Sequence, residues 1–129
     1  MLSILCVGAG GFIGAVARYL LGLVPYEGDF PLMTLIVNFA GAVAIGAVVE
    51  AADSWPGMPP NALLFLKTGL CGGFTTFSTF SLETLALLEG GRYGMGALYA
   101  GGSLALCVAG VVVGRILMRS ARALMEAAG

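Results

Sequence analysis

Five hydroxyl side chains, Thr75, Thr76, Ser78, Thr79 and Ser81, fall within seven consecutive positions, interleaved with the rings of Phe74, Phe77 and Phe80. Two glycines, Gly72 and Gly73, stand just before them, inside a run (residues 68–82) that carries no charge. A glycine pair there invites a break in a helix. At membrane depth an irregular backbone survives only where protein buries it or where it lines a water-filled cavity. A break near Gly72–Thr75 leaves the first half ending in free carbonyls, which suit a small cation. The second half then begins with free N–H groups, which favour an anion. Hydroxyls can turn their O–H toward an anion, and a phenyl ring offers an electropositive edge. Phe77 and Phe80 are three positions apart and share a face. On spacing alone that is ordinary packing; the flanking hydroxyls and the expected break give the pair a second reading, as ring edges presented to a small anion. Such a site needs no lysine, whose full charge would hold an ion too tightly to conduct.

Other polar side chains sit where partners are scarce. Asn38 is the only amide in the middle of an apolar run, and an unpaired amide in hydrocarbon is costly. It either glues two helices together or lines a path. Tyr99, Ser103 and Cys107 recur every fourth residue and drift slowly round one helix face. Arg18 follows Gly10 and Gly14 on one stripe; it either snorkels to the interface, anchors a loop or draws anions into a vestibule. Glu83, just beyond the hydroxyl cluster, is either a solvated carboxylate at a helix end or a charged partner for Arg18 or Lys67.

The elements that must position these groups follow from composition. Of 129 residues, 59% are hydrophobic and 10% charged, with mean hydropathy +0.99. A soluble domain carries roughly 25% charged residues. Long uncharged runs, each approaching or reaching the roughly 20 apolar residues of a spanning helix, place four spans near 3–23, 31–52, 61–88 and 94–117. The chain therefore reads as an all-α integral membrane protein, a single transmembrane domain over residues 1–129. Gly10-x-x-x-Gly14 and Gly110-x-x-x-Gly114 are close-packing spacings for membrane helices. Trp55 and three prolines between Asp53 and Pro60 suit an interfacial turn. Lys67, Arg115, Arg119 and Arg122 fall on the side of the termini, against Arg18 and Arg92 opposite. That positive-inside bias is weak, and insertion both ways round fits it equally well. Four short spans do not easily enclose a pore alone, so an oligomer is expected.

Several classes are excluded. A net charge of −1 gives nothing to attract nucleic acid. There is no histidine, and Cys6, Cys71 and Cys107 form no CxxC pair, which argues against a zinc-type metal site. No nucleophile–base pair is visible, so an enzyme is not expected. Ala15-Val16-Ala17 resembles a signal-peptidase site, but no Lys or Arg precedes the first apolar run.

In these residues the chain resembles the Fluc fluoride channels, also called CrcB proteins. The resemblance lies in Gly10-Gly11-Phe12-Ile13-Gly14-Ala15-Val16-Ala17-Arg18-Tyr19, in Val37-Asn38-Phe39-Ala40-Gly41, and above all in the stretch Gly69 to Ser81. Length and four-span layout match too, so it covers essentially the whole chain. It implies passive export of fluoride that protects against fluoride toxicity. It also implies an antiparallel, dual-topology homodimer in the plasma (inner) membrane, with two pores, a broken third helix and a structural Na⁺ at the dimer centre; pairing with a paralogue stays open. Residue by residue, Gly72 and Thr75 match the positions whose backbone carbonyls hold the Na⁺. Phe77 and Phe80 match the pore phenylalanines and Asn38 the pore asparagine. Ser78 and Thr79 match the motif hydroxyls, Tyr99 and Ser103 a polar track on the last span, Arg18 the vestibule arginine, and Glu83 an acidic position ending the motif. At Cys107 the track has a thiol where another hydroxyl is expected.

Two other classes compete. A small four-span proton-coupled antiporter needs a carboxylate in mid-membrane, and Glu83 lies too near an end. A non-transporting scaffold explains the glycine seams but leaves the hydroxyl–phenylalanine cluster without a purpose.

Overall fold

In the computed structural model, residues 1–128 are described, and over them the chain is helical with short connections and no strand. Helices α1 (Leu2–Gly22) and α2 (Leu32–Ser54) coincide with the first two expected spans to within two residues. The expected span 61–88 is composite. It comprises α3 (Pro60–Leu63), a π-helical stretch (Leu64–Cys71), α4 (Gly72–Phe74) and, after two extended residues, α5 (Phe77–Glu89). Helix α6 (Tyr93–Ala128) continues well past the expected end at 117. Three helices, α1, α2 and α6, are thus long and apolar enough to cross a membrane. The expected third span is divided before it reaches that length.

Glycine determines how these helices pack. On α1 only Gly10 and Gly14 are buried. A Cβ on Gly10 would run into the backbone of Phe65 and Leu70, and one on Gly14 into that of Leu70 and Phe74. The opposite wall uses the same device, with Gly69 against Gly10 and Val7, and Gly73 against Gly11. A second seam joins α2 to α6, where Gly46 lies on the Val111 carbonyl and Gly114 on that of Val43. Backbones this close are the usual means by which membrane helices associate, since lipid gives apolar side chains no reason to turn inward. Large apolar side chains accordingly face out, Phe12 at 71% exposure and Leu104 at 69%, while Tyr99 is wholly enclosed.

The extension of α6 is tied to the end of α2 by charge. Glu50, nearly buried, receives Arg119 through two hydrogen bonds of 2.7 and 3.0 Å and Arg115 at 3.3 Å. Arg115 also reaches Asp53 at 3.0 Å, and Arg122 pairs with Glu126 one turn on. These contacts carry α6 beyond the apolar segment. At the other end Gly91, with φ +73°, makes the tight turn into α6.

Candidate functional site

The site forms around Thr75 and Thr76, whose φ/ψ values of −80°/160° and −147°/113° are extended between α4 and α5. The sequence places the break near Gly72–Thr75, invited by Gly72 and Gly73, and only Thr75 of that stretch is extended. The two glycines are helical, Gly72 at −65°/−38°. Gly73 is glycine because it lies on the backbone of Gly11, a packing requirement that sequence alone reads as conformational freedom.

Three groups hold the extended residues. Asn38 of α2 bonds Thr76 twice: its Oδ1 accepts the Thr76 N–H at 2.8 Å, and its Nδ2 donates to the Thr76 carbonyl at 3.0 Å. The Thr76 hydroxyl caps α5, accepting the Thr79 N–H at 3.2 Å and donating to the Thr79 hydroxyl at 2.9 Å, as an N-cap threonine does. Arg18 of α1 donates from Nε to the Gly73 carbonyl at 3.3 Å, a cation at the end of the preceding helical segment. Of the readings open to Arg18, this contact is the anchor.

Glu83 differs from the ion-pair expectation. Its carboxylate accepts from the Thr34 hydroxyl at 2.8 Å and the Tyr99 hydroxyl at 2.6 Å, rather than from Arg18 or Lys67. Lys67 is exposed on the π-helical stretch. Two hydroxyls, one from α2 and one from α6, thus fix the end of the motif.

The aromatic rings form a chain. Phe77 and Phe80 lie 5.5 Å apart centre to centre, Phe80 and Tyr99 5.2 Å, and the Phe30 ring meets Tyr99 edge-on at 5.5 Å. Phe80 is half-buried, whereas Phe77 is 79% exposed on the outer side.

Two cavities share Thr76 in their walls. One, about 400 Å³, is lined by Asn38, Thr75, Phe77, Phe80, Ser103 and Cys107 among others. The other, about 390 Å³, is lined by Arg18, Thr34, Thr79 and Glu83 among others. Thr76 borders both. Ser103 is 5% exposed, and its Oγ has no hydrogen-bond partner among the described residues. Most expected site residues are therefore brought to these two spaces. Tyr99 is packed behind them, and exposed Ser78 lines neither, although its Oγ lies 3.4 Å from that of Thr76.

Thr76, Thr34 and the Gly73 carbonyl carry contacts that the sequence reading did not assign. A hydroxyl immediately before an apolar helix is an N-cap signal, which marks Thr76 in retrospect. Thr34 sits one turn before Asn38 on the same face.

The geometry places hydroxyls, an amide, two phenyl rings, the Glu83 carboxylate and one anchored guanidinium around two cavities that share Thr76 as a wall, an arrangement suited to a small ion rather than to bond-making chemistry. Comparison with known proteins agrees. Residues 5–115 match the family model described as CrcB-like protein, Camphor Resistance (CrcB). The chain is 47% identical over 121 residues to the fluoride-specific ion channel FluC of Chlorobaculum tepidum, covering 92% of this chain and 96% of that one. It is 50% identical over 103 residues to that of Chlorobium chlorochromatii (78% and 80% covered). With that of Ruminiclostridium cellulolyticum it shares 41% over 123 residues (93% and 95%).

Proposed function

Because the chain belongs to the CrcB family, we infer that it is a fluoride-specific ion channel. It is a multi-pass protein of the plasma membrane that lets fluoride leave the cell passively and so protects against its toxicity; it transports and is not an enzyme. The observation that carries this reading is the cluster at Thr76, where hydroxyls, an amide and phenyl rings line two cavities that share that residue as a wall. Fluoride is small and strongly hydrated, so a narrow path must replace its water with several weak donors and no fixed charge that would trap it. Arg18 and Glu83 border only the second cavity, and no charged side chain among the described residues lines the one that holds Phe77 and Phe80.

In this reading Phe77 and Phe80 offer ring edges, while Ser78, Thr79 and Ser103 offer hydroxyls. Asn38 completes the track, Tyr99 supports it from behind through Phe80 and Glu83, and Arg18 raises the local anion concentration at the vestibule. The unpartnered Ser103 hydroxyl supports such a role, because a buried donor without an acceptor is costly unless something passes that can accept.

The working unit is a homodimer of antiparallel, dual-topology subunits, each contributing four transmembrane segments of one domain, the third broken at Thr75–Thr76. Two features support it. Phe77, a ring of the track, stands uncovered on one chain, and Gly72 is exposed on the adjoining segment, so a second copy would close the path there. A structural Na⁺ at the centre of the dimer fits the donor set. The Thr76 N–H, which would return to the Gly72 carbonyl in a continuous helix, is engaged by Asn38; the Thr79 N–H, which would return to Thr75, is engaged by the Thr76 hydroxyl. Two oxygens per subunit are thereby left for a hard cation, which prefers oxygen ligands. When bound, Na⁺ supplies a fixed positive charge and a crosslink between the subunits.

The experiment is release of fluoride and chloride from liposomes holding both, read with ion-selective electrodes. Fluoride leaving while chloride stays is the expected result; equal loss of the two, or retention of both, would remove the assignment.

A further inference from the structure

The carbonyls at the end of the third segment's first half are not treated alike. Cys71 receives the Thr75 N–H and hydroxyl, both at 3.1 Å, and Gly73 receives Arg18 at 3.3 Å. Between and after them, Gly72 and Thr75 have each lost the N–H that lies four residues on in an α-helix. In both cases the loss has a named cause. The Thr76 N–H points to Asn38 Oδ1 at 2.8 Å, and the Thr79 N–H points to Thr76 Oγ1 at 3.2 Å. Each diversion is braced from its other side, by Asn38 Nδ2 on the Thr76 carbonyl at 3.0 Å and by the Thr76 hydroxyl on that of Thr79 at 2.9 Å.

From this pattern we propose that Asn38 and Thr76 are positioning residues for the cation site: their side chains capture the two N–H groups that would otherwise occupy the Gly72 and Thr75 carbonyls. The inference rests on the Na⁺ reading above and assigns the cause of the site to side chains remote from the ion. Asn38 then serves two ends, the anion path through its place in the cavity wall and the cation through its Oδ1. For the cation, Oδ1 captures the N–H and Nδ2 holds the Thr76 carbonyl that braces it.

That capture gives the test. The unfolding midpoint of the detergent-solubilised dimer is followed as Na⁺ replaces N-methylglucamine at constant ionic strength, without fluoride, so that conduction plays no part. The wild type shows a saturable, Na⁺-specific rise. Thr76→Ser, which retains the hydroxyl that accepts the Thr79 N–H and donates to the Thr79 hydroxyl, saturates near the wild-type concentration. Thr76→Val and Asn38→Leu return an N–H to compete for the carbonyl, and their half-saturating Na⁺ rises about tenfold, the equivalent of one hydrogen bond. A Na⁺-responsive wild type alongside a dimeric Thr76→Val that titrates identically overturns the positioning role alone. Should Thr76→Val and Asn38→Leu not fold, a dimeric Thr76→Ser that has lost the Na⁺ response overturns it equally. A wild type indifferent to Na⁺ overturns the cation reading and the positioning role with it.

Discussion

The carboxamide of Asn38 bonds both polar groups of one backbone residue, the N–H of Thr76 at 2.8 Å and its carbonyl at 3.0 Å. An amide is the side chain that can do this, having a donor and an acceptor side by side. Replacing it with a carboxylate turns the donor toward Thr76 O into a second acceptor and adds a negative charge beside the anion path. Asn38→Asp is therefore expected to abolish fluoride efflux from liposomes while the protein still elutes as a dimer. Wild-type efflux from this variant would remove Asn38 from the path.

Tyr99 is fully enclosed, and its hydroxyl lies 2.6 Å from Glu83. In Tyr99→Phe the ring still packs on Phe80 and Phe30, but Glu83 keeps only Thr34 as a partner. A hydrogen bond to a charged group contributes about 1.5–3 kcal/mol. The variant should unfold correspondingly earlier in denaturant and conduct more slowly, because Glu83, which lines the second cavity, is held by one hydroxyl fewer. Unchanged stability and flux together would show that the Tyr99–Glu83 contact has no role.

Gly14 and Gly8 make a matched pair on α1. A Cβ on Gly14 would collide with the backbone of Leu70 and Phe74, whereas one on Gly8 meets nothing within 4 Å. Gly14→Ala should cost about 1–3 kcal/mol, the range for forcing volume into a packed interface. Gly8→Ala should leave thermal stability in detergent unaltered. Equal behaviour of the two would contradict the close approach of α1 to the third segment.

Much of this arrangement was legible in the residues themselves. Uncharged runs located α1 and α2 almost to the residue because lipid demands a full-length apolar helix, and small-xxx-small spacing marked both glycine seams. The third segment was read less well. Gly72 and Gly73 looked like breakers because glycine's freedom and its lack of volume give the same letter. Only packing shows that Gly73 was needed for its missing Cβ, while two threonines adopt the extended backbone. Glu83 was offered charged partners, since charge is visible in a sequence and the convergence of Thr34 and Tyr99 from two distant helices is not. The length of α6 was underestimated for the same reason: Arg119 on its own marks an interface, but Arg119 on Glu50 extends a helix.

Cys107 lines the same cavity as Ser103, one helical turn away. A thiol donates more weakly than a hydroxyl. Cys107→Ser should therefore raise fluoride flux, by about fivefold if one hydrogen bond of roughly 1 kcal/mol is gained along the path. A fall in flux would mean that sulfur's size, not its donor strength, matters at this position.

The most direct measurement compares wild type with Phe80→Ile in fluoride-loaded liposomes, with the membrane potential clamped and no proton gradient. Phe80 sits between Phe77 and Tyr99 in the ring chain, and isoleucine removes its polarised edge while filling similar space. Rapid fluoride release by the wild type and none by a dimeric Phe80→Ile is the predicted result. Release that requires a pH gradient, or that proceeds equally well in Phe80→Ile, would contradict a passive channel running past these rings.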